Sequence, residues 1–457
     1  MGKWSKYQKM LAVFFLLTVP GVRPWIHADG RFYYAFARTI LFQHNFDFAL
    51  DWLHCYEANP RIADPATAYH EQFMPETGHY WNKWTIGPAI LWAPFMIAAR
   101  AITPLLDRLR GTHFANDGFS KPYMVAMSVG TLFYGFLALW FSFLFARKYV
   151  PERWAFLATV GIWLASSFTF YLYADPSYSH VHSAFLIALF VWLWDRTREK
   201  RSWWQWLAMG ATAGLMLDTY YPNAFLLILP MMDAIQGCWL AARERSGDRF
   251  LRILAGNLLF AATAIVVFLP TLMVKKIIFG TYFSAGYREH WYWNSPAFFR
   301  VCFSSHGVFS WTPILILAVL GLCLLWNTNR LVSWVFLGTL LSFVYFIGCY
   351  EGWHAIQSFG NRFFVAFTVF FILGLATLLK EIDALRAGGR LSWPVLAGVT
   401  GLFILWNCGV MYQYAAHMFS QFGEVSWSEV VHNQVAVVPG QVAHLLWTTV
   451  EQGLRWK

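Results

Sequence analysis

Apolar runs about twenty residues long return along this chain, separated by short basic clusters. A helix needs roughly 20 mostly apolar residues to cross a bilayer core, whereas a barrel strand needs only about ten. Runs of helical length fall near 9–26, 122–146, 154–173, 178–194, 203–218, 221–240, 251–273, 308–326, 331–349, 361–379 and 392–411. They predict about eleven transmembrane helices. Only 13% of the residues are charged and 58% are hydrophobic, against about 25% charged in soluble domains. A chain so poor in charge cannot cover itself against water. The expected fold is therefore all-α and polytopic, with lipid as solvent. Twenty-six tryptophans and 21 tyrosines agree, because amphipathic rings gather at membrane interfaces.

The formal net charge of +10 is carried between the apolar runs rather than on one face, which excludes nucleic acid as a partner and suits loops facing anionic lipid. Positive residues favour the cytoplasmic side. That rule puts Lys3, Lys6 and Lys9 inside, so the N-terminus is cytoplasmic. The same holds for Arg147/Lys148/Arg153, Arg196/Arg198/Lys200/Arg201, Arg243/Arg245/Arg249, Arg330 and Lys380/Arg386/Arg390. The N-terminal run lacks a small-residue cleavage site and reads as a retained span. Residues 86–106 are long enough to cross, yet a single crossing there would put every later cluster outside. The segment is therefore expected to be an in-plane or re-entrant helix within a long first outer loop, 27–121, and the C-terminal tail from 412 is also expected outside. No internal repeat or linker divides residues 1–457, so a single membrane domain is expected. Of the six cysteines, Cys302 and Cys349 are candidates for a pair, but unpaired core thiols is the reading adopted.

Four outer stretches carry candidate chemistry. Asp29 directly follows the first span, in Trp25-Ile-His-Ala-Asp-Gly-Arg-Phe-Tyr-Tyr34. Asp175 lies in Tyr171-Leu-Tyr-Ala-Asp-Pro-Ser-Tyr-Ser-His-Val-His182, so topology puts both acids at the same membrane surface. Carboxylate and imidazole both bind divalent cations. Asp175, His180 and His182 are thus candidate metal ligands, although polar residues also commonly begin helices. Lys83 precedes the 86–106 helix, and an ammonium there pairs with a lipid phosphate or snorkels to headgroups. The stretch 274–307 keeps Lys275, Lys276, Arg288, His290 and Arg300 on the side where cations are disfavoured, a pattern that suggests anion binding. Arg362 stands at the mouth of a span, where an arginine is costly unless paired, phosphate-bound or snorkelling.

The order of these features resembles the GT-C superfamily of integral membrane glycosyltransferases, in particular the bacterial family-39-like branch related to protein mannosyltransferases. The shared order is one span, an acid at its outer end, a long loop closing on a lysine before an apolar helix, and a second acid two spans on. Phe303-Ser-Ser-His-Gly-Val-Phe-Ser-Trp-Thr-Pro313 and Ser358-Phe-Gly-Asn-Arg362 also look like that branch, and the likeness covers roughly residues 9–380. Gly30 follows Asp29 where many relatives carry an Asp-Glu pair. The resemblance implies a polyprenyl-phosphate sugar donor, a glycan, lipid or protein acceptor, and inversion at the anomeric carbon. It implies a bacterial inner-membrane protein with its active site on the periplasmic face. Asp29 would be the base, with Lys83, Arg362 and Arg288 on the donor phosphate. Asp175 with His180 or His182 would orient the site or hold a metal. A membrane transporter or lipid-carrier flippase, and a non-catalytic assembly subunit, are the competing classes. The charged residues gather at one surface and no repeat appears, unlike most transporters.

Overall fold

A computed structural model of the chain describes residues 3–57, 70–284, 286–355, 357–385, 392–421 and 423–455. Arg386 and Arg390 of the last basic cluster lie outside the described residues, as does part of the first loop. The architecture is all-α. Among the described residues, β-structure is limited to a small antiparallel hairpin, β1 (Phe73–Met74) with β2 (His79–Tyr80), and an isolated bridge between Trp291 and Tyr350.

The first helices are α1 (Lys6–Thr18), α2 (Gly30–Arg38), α3 (Ala49–Glu57), α4 (Gly87–Arg110), α5 (Lys121–Ala146), α6 (Glu152–Leu164), α7 (His180–Thr197), α8 (Trp203–Thr219), α9 (Ile228–Arg243) and α10 (Gly247–Phe279). They are followed by α11 (Phe298–Phe303), α12 (Val308–Trp311), α13 (Ile314–Leu324), α14 (Arg330–Cys349), α15 (Thr368–Leu385), α16 (Ser392–Ala415), α17 (Trp427–Ala436) and α18 (Val438–Arg455). Every predicted run carries a helix or a bent helix pair. Among the described residues, seven helical stretches are long and apolar enough to cross a membrane, and two bent pairs raise the number to nine. The 86–106 segment is one continuous helix, α4, and belongs to the seven. α7 misses that standard because His180, His182, Asp195 and Arg196 dilute it. Fourteen of its 18 residues are buried, and a helix covered by protein need not be lipophilic.

The chain packs as two compact units. The first comprises Met1–Lys148, Tyr171–Arg288 and Ala366–Val369; the second comprises Tyr149–Phe170, Glu289–Val365 and Phe370–Lys457. In the first unit α7 lies between α5 and α8, α8 packs along α10, and α4 packs on α5 and α2. Gly210 and Gly214 let α8 approach α10 closely, since a Cβ on either would come within 2.6 Å or 2.5 Å of a carbonyl oxygen of α10. Small residues one turn apart serve helix contacts in this way in membranes.

The described residues of the first loop pack together. Arg38, only 2% exposed, forms a bidentate ion pair with Asp51 and stacks 4.6 Å from the Phe119 ring. The Tyr34 hydroxyl donates to the Gly118 carbonyl at 2.6 Å, and Trp52 Nε1 donates to the Trp81 carbonyl at 2.9 Å. A buried charge pair is tolerated when its remaining donors are satisfied, and Arg38 also reaches Gln43.

In the second unit, the pair formed by Phe298–Trp311 and Ile314–Asn327 bends by 103°. Pro313 stands at the break, where it can neither donate to the preceding turn nor allow Thr312 a helical conformation. Phe336 of α14 stacks on Phe370 of α15 with ring centroids 3.7 Å apart. The six cysteines are all free thiols, Cys302 and Cys349 both buried.

Candidate active site

The two acids meet at a turn. α1 ends in a 3-10 turn at Val19–Gly21, and the chain then runs to Ala28, which adopts φ +43°. A side chain in that left-handed region is strained. It redirects the backbone into α2, with Asp29 as the N-cap residue. The helix N-terminus favours a negative charge there, and the carboxylate makes no capping hydrogen bond to the backbone.

Gly30 presses on the turn that carries the second acid, and a Cβ there would sit 1.9 Å from Ser177 Oγ. Ser177 Oγ donates to Asp175 Oδ1 at 2.9 Å and accepts from the His27 backbone N–H at 3.2 Å. His27 Nδ1 lies 3.6 Å from Asp175 Oδ2. Burial raises the Asp175 carboxyl above the ordinary carboxylate range. The His27 ring and the Ser177 hydroxyl lower it in part, while the Asp29 carboxylate raises it further. The structure therefore brings Asp29 and Asp175 within electrostatic reach of one another.

One turn into α2, Phe32 stacks on Trp84 at 4.2 Å, and its carbonyl accepts from Asn82 Nδ2 at 3.1 Å. The segment between these contacts carries Lys83. Its ammonium lies 4.9 Å from the Tyr287 ring centroid, 5.4 Å from Trp84 and 5.6 Å from Trp81. Arg288 lies over Trp81 at 4.7 Å, and Trp81 Nε1 donates to the Gly286 carbonyl at 3.0 Å. Lys83 and Arg288 thus share an aromatic cluster. Two cations on ring faces make an electropositive surface that suits a phosphate.

Lys275, named above only among the loop cations, is a buried residue of α10. It is 2% exposed, and its Nζ donates to the carbonyls of Lys83 at 2.8 Å, Trp84 at 3.3 Å and Asn82 at 3.5 Å. On the far side of this segment the Thr85 hydroxyl donates to the Thr219 carbonyl at 2.7 Å, and Gly87 seats α4 on the end of α8. Asp218 in that end is fully buried.

The residues suggested for a divalent ion are not assembled. Among the described residues no group of three or more His, Cys, Asp or Glu side chains could hold a metal. Asp175 is engaged by Ser177 and His27. His180 stacks on Tyr178 at 5.7 Å. His182, fully buried, sits edge-on to Trp92 at 5.1 Å and beside Tyr134 at 5.6 Å. His182 is thus enclosed by aromatic rings in the core. Arg362 belongs to the second unit, where Nη1 donates to the Ala355 carbonyl at 3.5 Å.

His27, Ser177 and Lys275 complete this arrangement; sequence reasoning gave His27 and Ser177 no role and read Lys275 as a loop cation suited to an anion. His27 and Ser177 are each two residues from an acid singled out above, and that proximity was the available signal. Lys275 carried one too, an ammonium at the end of an apolar helix, where an unpaired charge is costly.

No family model and no curated protein matches the chain. Among solved structures, the chain is similar to the crystal structure of the oligosaccharyltransferase of Archaeoglobus fulgidus in the apo form. The sequence identity is 13%, the TM-score is 0.49, and the match covers 92% of this chain and 56% of that one. This chain therefore spans little more than half the length of that protein.

Proposed function

We propose that the protein transfers a sugar from a polyprenyl-phosphate-linked donor to a hydroxyl of a glycan, lipid or protein acceptor, with inversion, at the outer face of a membrane. The observation that carries this reading is the common framework of the acid and the ammonium. The α2 turn beginning at Asp29 is packed through Phe32 onto Trp84, next to Lys83. Single displacement needs a base on the acceptor side and cations on the leaving side. Asp29 takes the acceptor hydroxyl proton as the new bond to the anomeric carbon forms. The bond from that carbon to the phosphate oxygen breaks, and Lys83 with Arg288 stabilises the charge growing on the phosphate. Asp175, with its carboxyl raised and its oxygens engaged by Ser177 and His27, orients the turn rather than competing as the base. The Trp81, Trp84 and Tyr287 rings around the cations offer faces for a sugar.

The test is reconstitution of the purified protein in vesicles with labelled polyprenyl-phosphate sugars and an acceptor panel. The expected result is a glycoside whose anomeric configuration is opposite to that of the donor. Movement of intact donor across the bilayer without any glycoside would overturn the reading in favour of a lipid-carrier flippase.

A further inference from the structure

The C-terminal helices of the second unit turn back along a span. α16 has 24 residues, about 36 Å at 1.5 Å per residue, enough for a bilayer core of about 30 Å. Gln413 Nε2 donates to the Val430 carbonyl at 3.1 Å and to Gln434 Oε1 at 2.9 Å. Gln434 Nε2 in turn reaches the carbonyls of Trp406 at 3.3 Å and Leu405 at 3.4 Å. Gly409 makes room for that side chain, since a Cβ there would come within 2.0 Å of Gln434 Nε2. As α17 advances from 430 to 434, its partners on α16 recede from 413 to 405, so the two helices run antiparallel. Gly409 and Leu405 stand six and ten residues before Ala415, the end of α16, roughly 9–15 Å below it. With α16 centred in the core, that level lies among the acyl chains. The start of α17 is tied at Trp427, whose Nε1 donates to the Ser305 carbonyl at 3.3 Å and whose ring meets Trp311 edge-on at 5.6 Å.

The outward side of α17 divides lengthwise. Val430 and Asn433 are buried. Val431, 48% exposed, and Val435, 75% exposed, stand one turn apart on one flank. Glu429 and His432, also exposed, stand on the other. Leu405, whose carbonyl accepts from Gln434, is itself 66% exposed, and Leu402 is exposed one turn before it. The lipid-facing stripe of α16 therefore continues onto Val435 and Val431. Exposed Leu445 and Trp447 extend apolar surface into α18. Between Arg390 and Arg455 the sequence holds no lysine or arginine, so attraction to anionic headgroups, the usual partner of apolar burial in surface helices, is missing. The amide donors of Gln413 and Gln434 are engaged within the protein, which lowers the cost of holding them at apolar depth.

We infer that α17 and the start of α18 dip into the bilayer leaflet at the C-terminal end of α16, where the flank of Val431 and Val435 takes phospholipid acyl chains. Glu429 and His432 face headgroups and water. Insertion to about 5–10 Å is typical of helices held this way, and here apolar burial alone holds the element. The inference concerns the second unit and stands whether or not sugar transfer is the activity.

The full-length protein, its cysteines unchanged, is placed in phosphatidylcholine nanodiscs with p-benzoylphenylalanine at position 429, 431, 432 or 435. After irradiation, adducts are read by peptide mass spectrometry. Positions 431 and 435 should give about tenfold more lipid adduct than 429 and 432. Replacing about a third of the lipid by phosphatidylglycerol should leave that ratio unchanged, because no cation on the element answers to it.

A second measurement needs no variant. The wild-type protein is photolabelled by phosphatidylcholine that carries a diazirine on its acyl chain, and the peptide 427–447 should be labelled within about threefold of the α16 stretch 399–405. The inference is overturned if adducts at 431 and 435 do not exceed those at 429 and 432, or if the wild-type tail peptide stays unlabelled. Cross-links from 431 or 435 to a second copy of the chain in place of lipid would overturn it in favour of a dimer contact. A yield that climbs with phosphatidylglycerol would overturn apolar burial as the sole hold.

Discussion

At Asp175 burial outweighs the help from His27 and Ser177, and the carboxyl is raised. The native state therefore prefers the neutral acid more than the unfolded chain does. The resulting stability is complete below the unfolded carboxyl range, about pH 4, and is lost as pH rises through the raised folded value. Thermal unfolding in detergent should show wild type losing ground to Asp175→Asn as pH rises above about 4; a constant difference between them would refute this. The cation pair gives a second outcome. Lys83→Met and Arg288→Met should each weaken donor binding, and the double variant should be non-additive, because both cations sit on Trp81. Additive losses would mean that the two bind independently. At this scale the sequence singled out Asp29, Asp175, Lys83 and Arg288 because a charge at the edge of an apolar run is conspicuous. His27 and Ser177 were not, because their roles depend on a contact across 150 residues.

Between elements, the informative contact is the one that holds residues 82–84. Lys275 reaches that segment from 192 residues away and satisfies its carbonyls from within the protein. The apolar run reads as ending at 273, with Lys275 in the stretch beyond it, whereas the helix continues to Phe279; apolar periodicity carries no information about which backbone the ammonium meets. Lys275→Met keeps the stem and leaves those carbonyls without their donor, at a cost of roughly 1–3 kcal/mol. The variant should lower the unfolding temperature and raise the donor KM with Lys83 intact. An unchanged KM would show that the Lys83 segment keeps its place without the clamp. Gly30→Ala tests the acid turn in the same way. Its Cβ would sit 1.9 Å from Ser177 Oγ, so the turn must shift and transfer should fall although both acids remain. Activity equal to wild type would show that the turn tolerates displacement. The helices themselves were legible because their apolar runs match the bilayer, whereas the enclosure of His182 arises from packing against the rings of Trp92 and Tyr134.

For the whole molecule, a shared site requires Asp29 and Asp175 to face the same side of the membrane. α4 is long and apolar enough to cross, and a crossing would separate the N-terminal lysines from every later basic cluster. Impermeant labelling of single cysteines at positions 29 and 175 should therefore report one common side, opposite to a cysteine at position 200. Labelling of 29 and 175 from opposite sides would dismantle the shared site. The central claim is that Asp29 is the base of a sugar transfer, and its most direct test is the rate of the purified Asp29→Asn protein with a polyprenyl-phosphate sugar and acceptor. A positioned base contributes about 10²–10⁴-fold. The account predicts a loss of that order in kcat with donor affinity and thermal stability retained. A rate within about threefold of wild type, far short of a base's contribution, would contradict it.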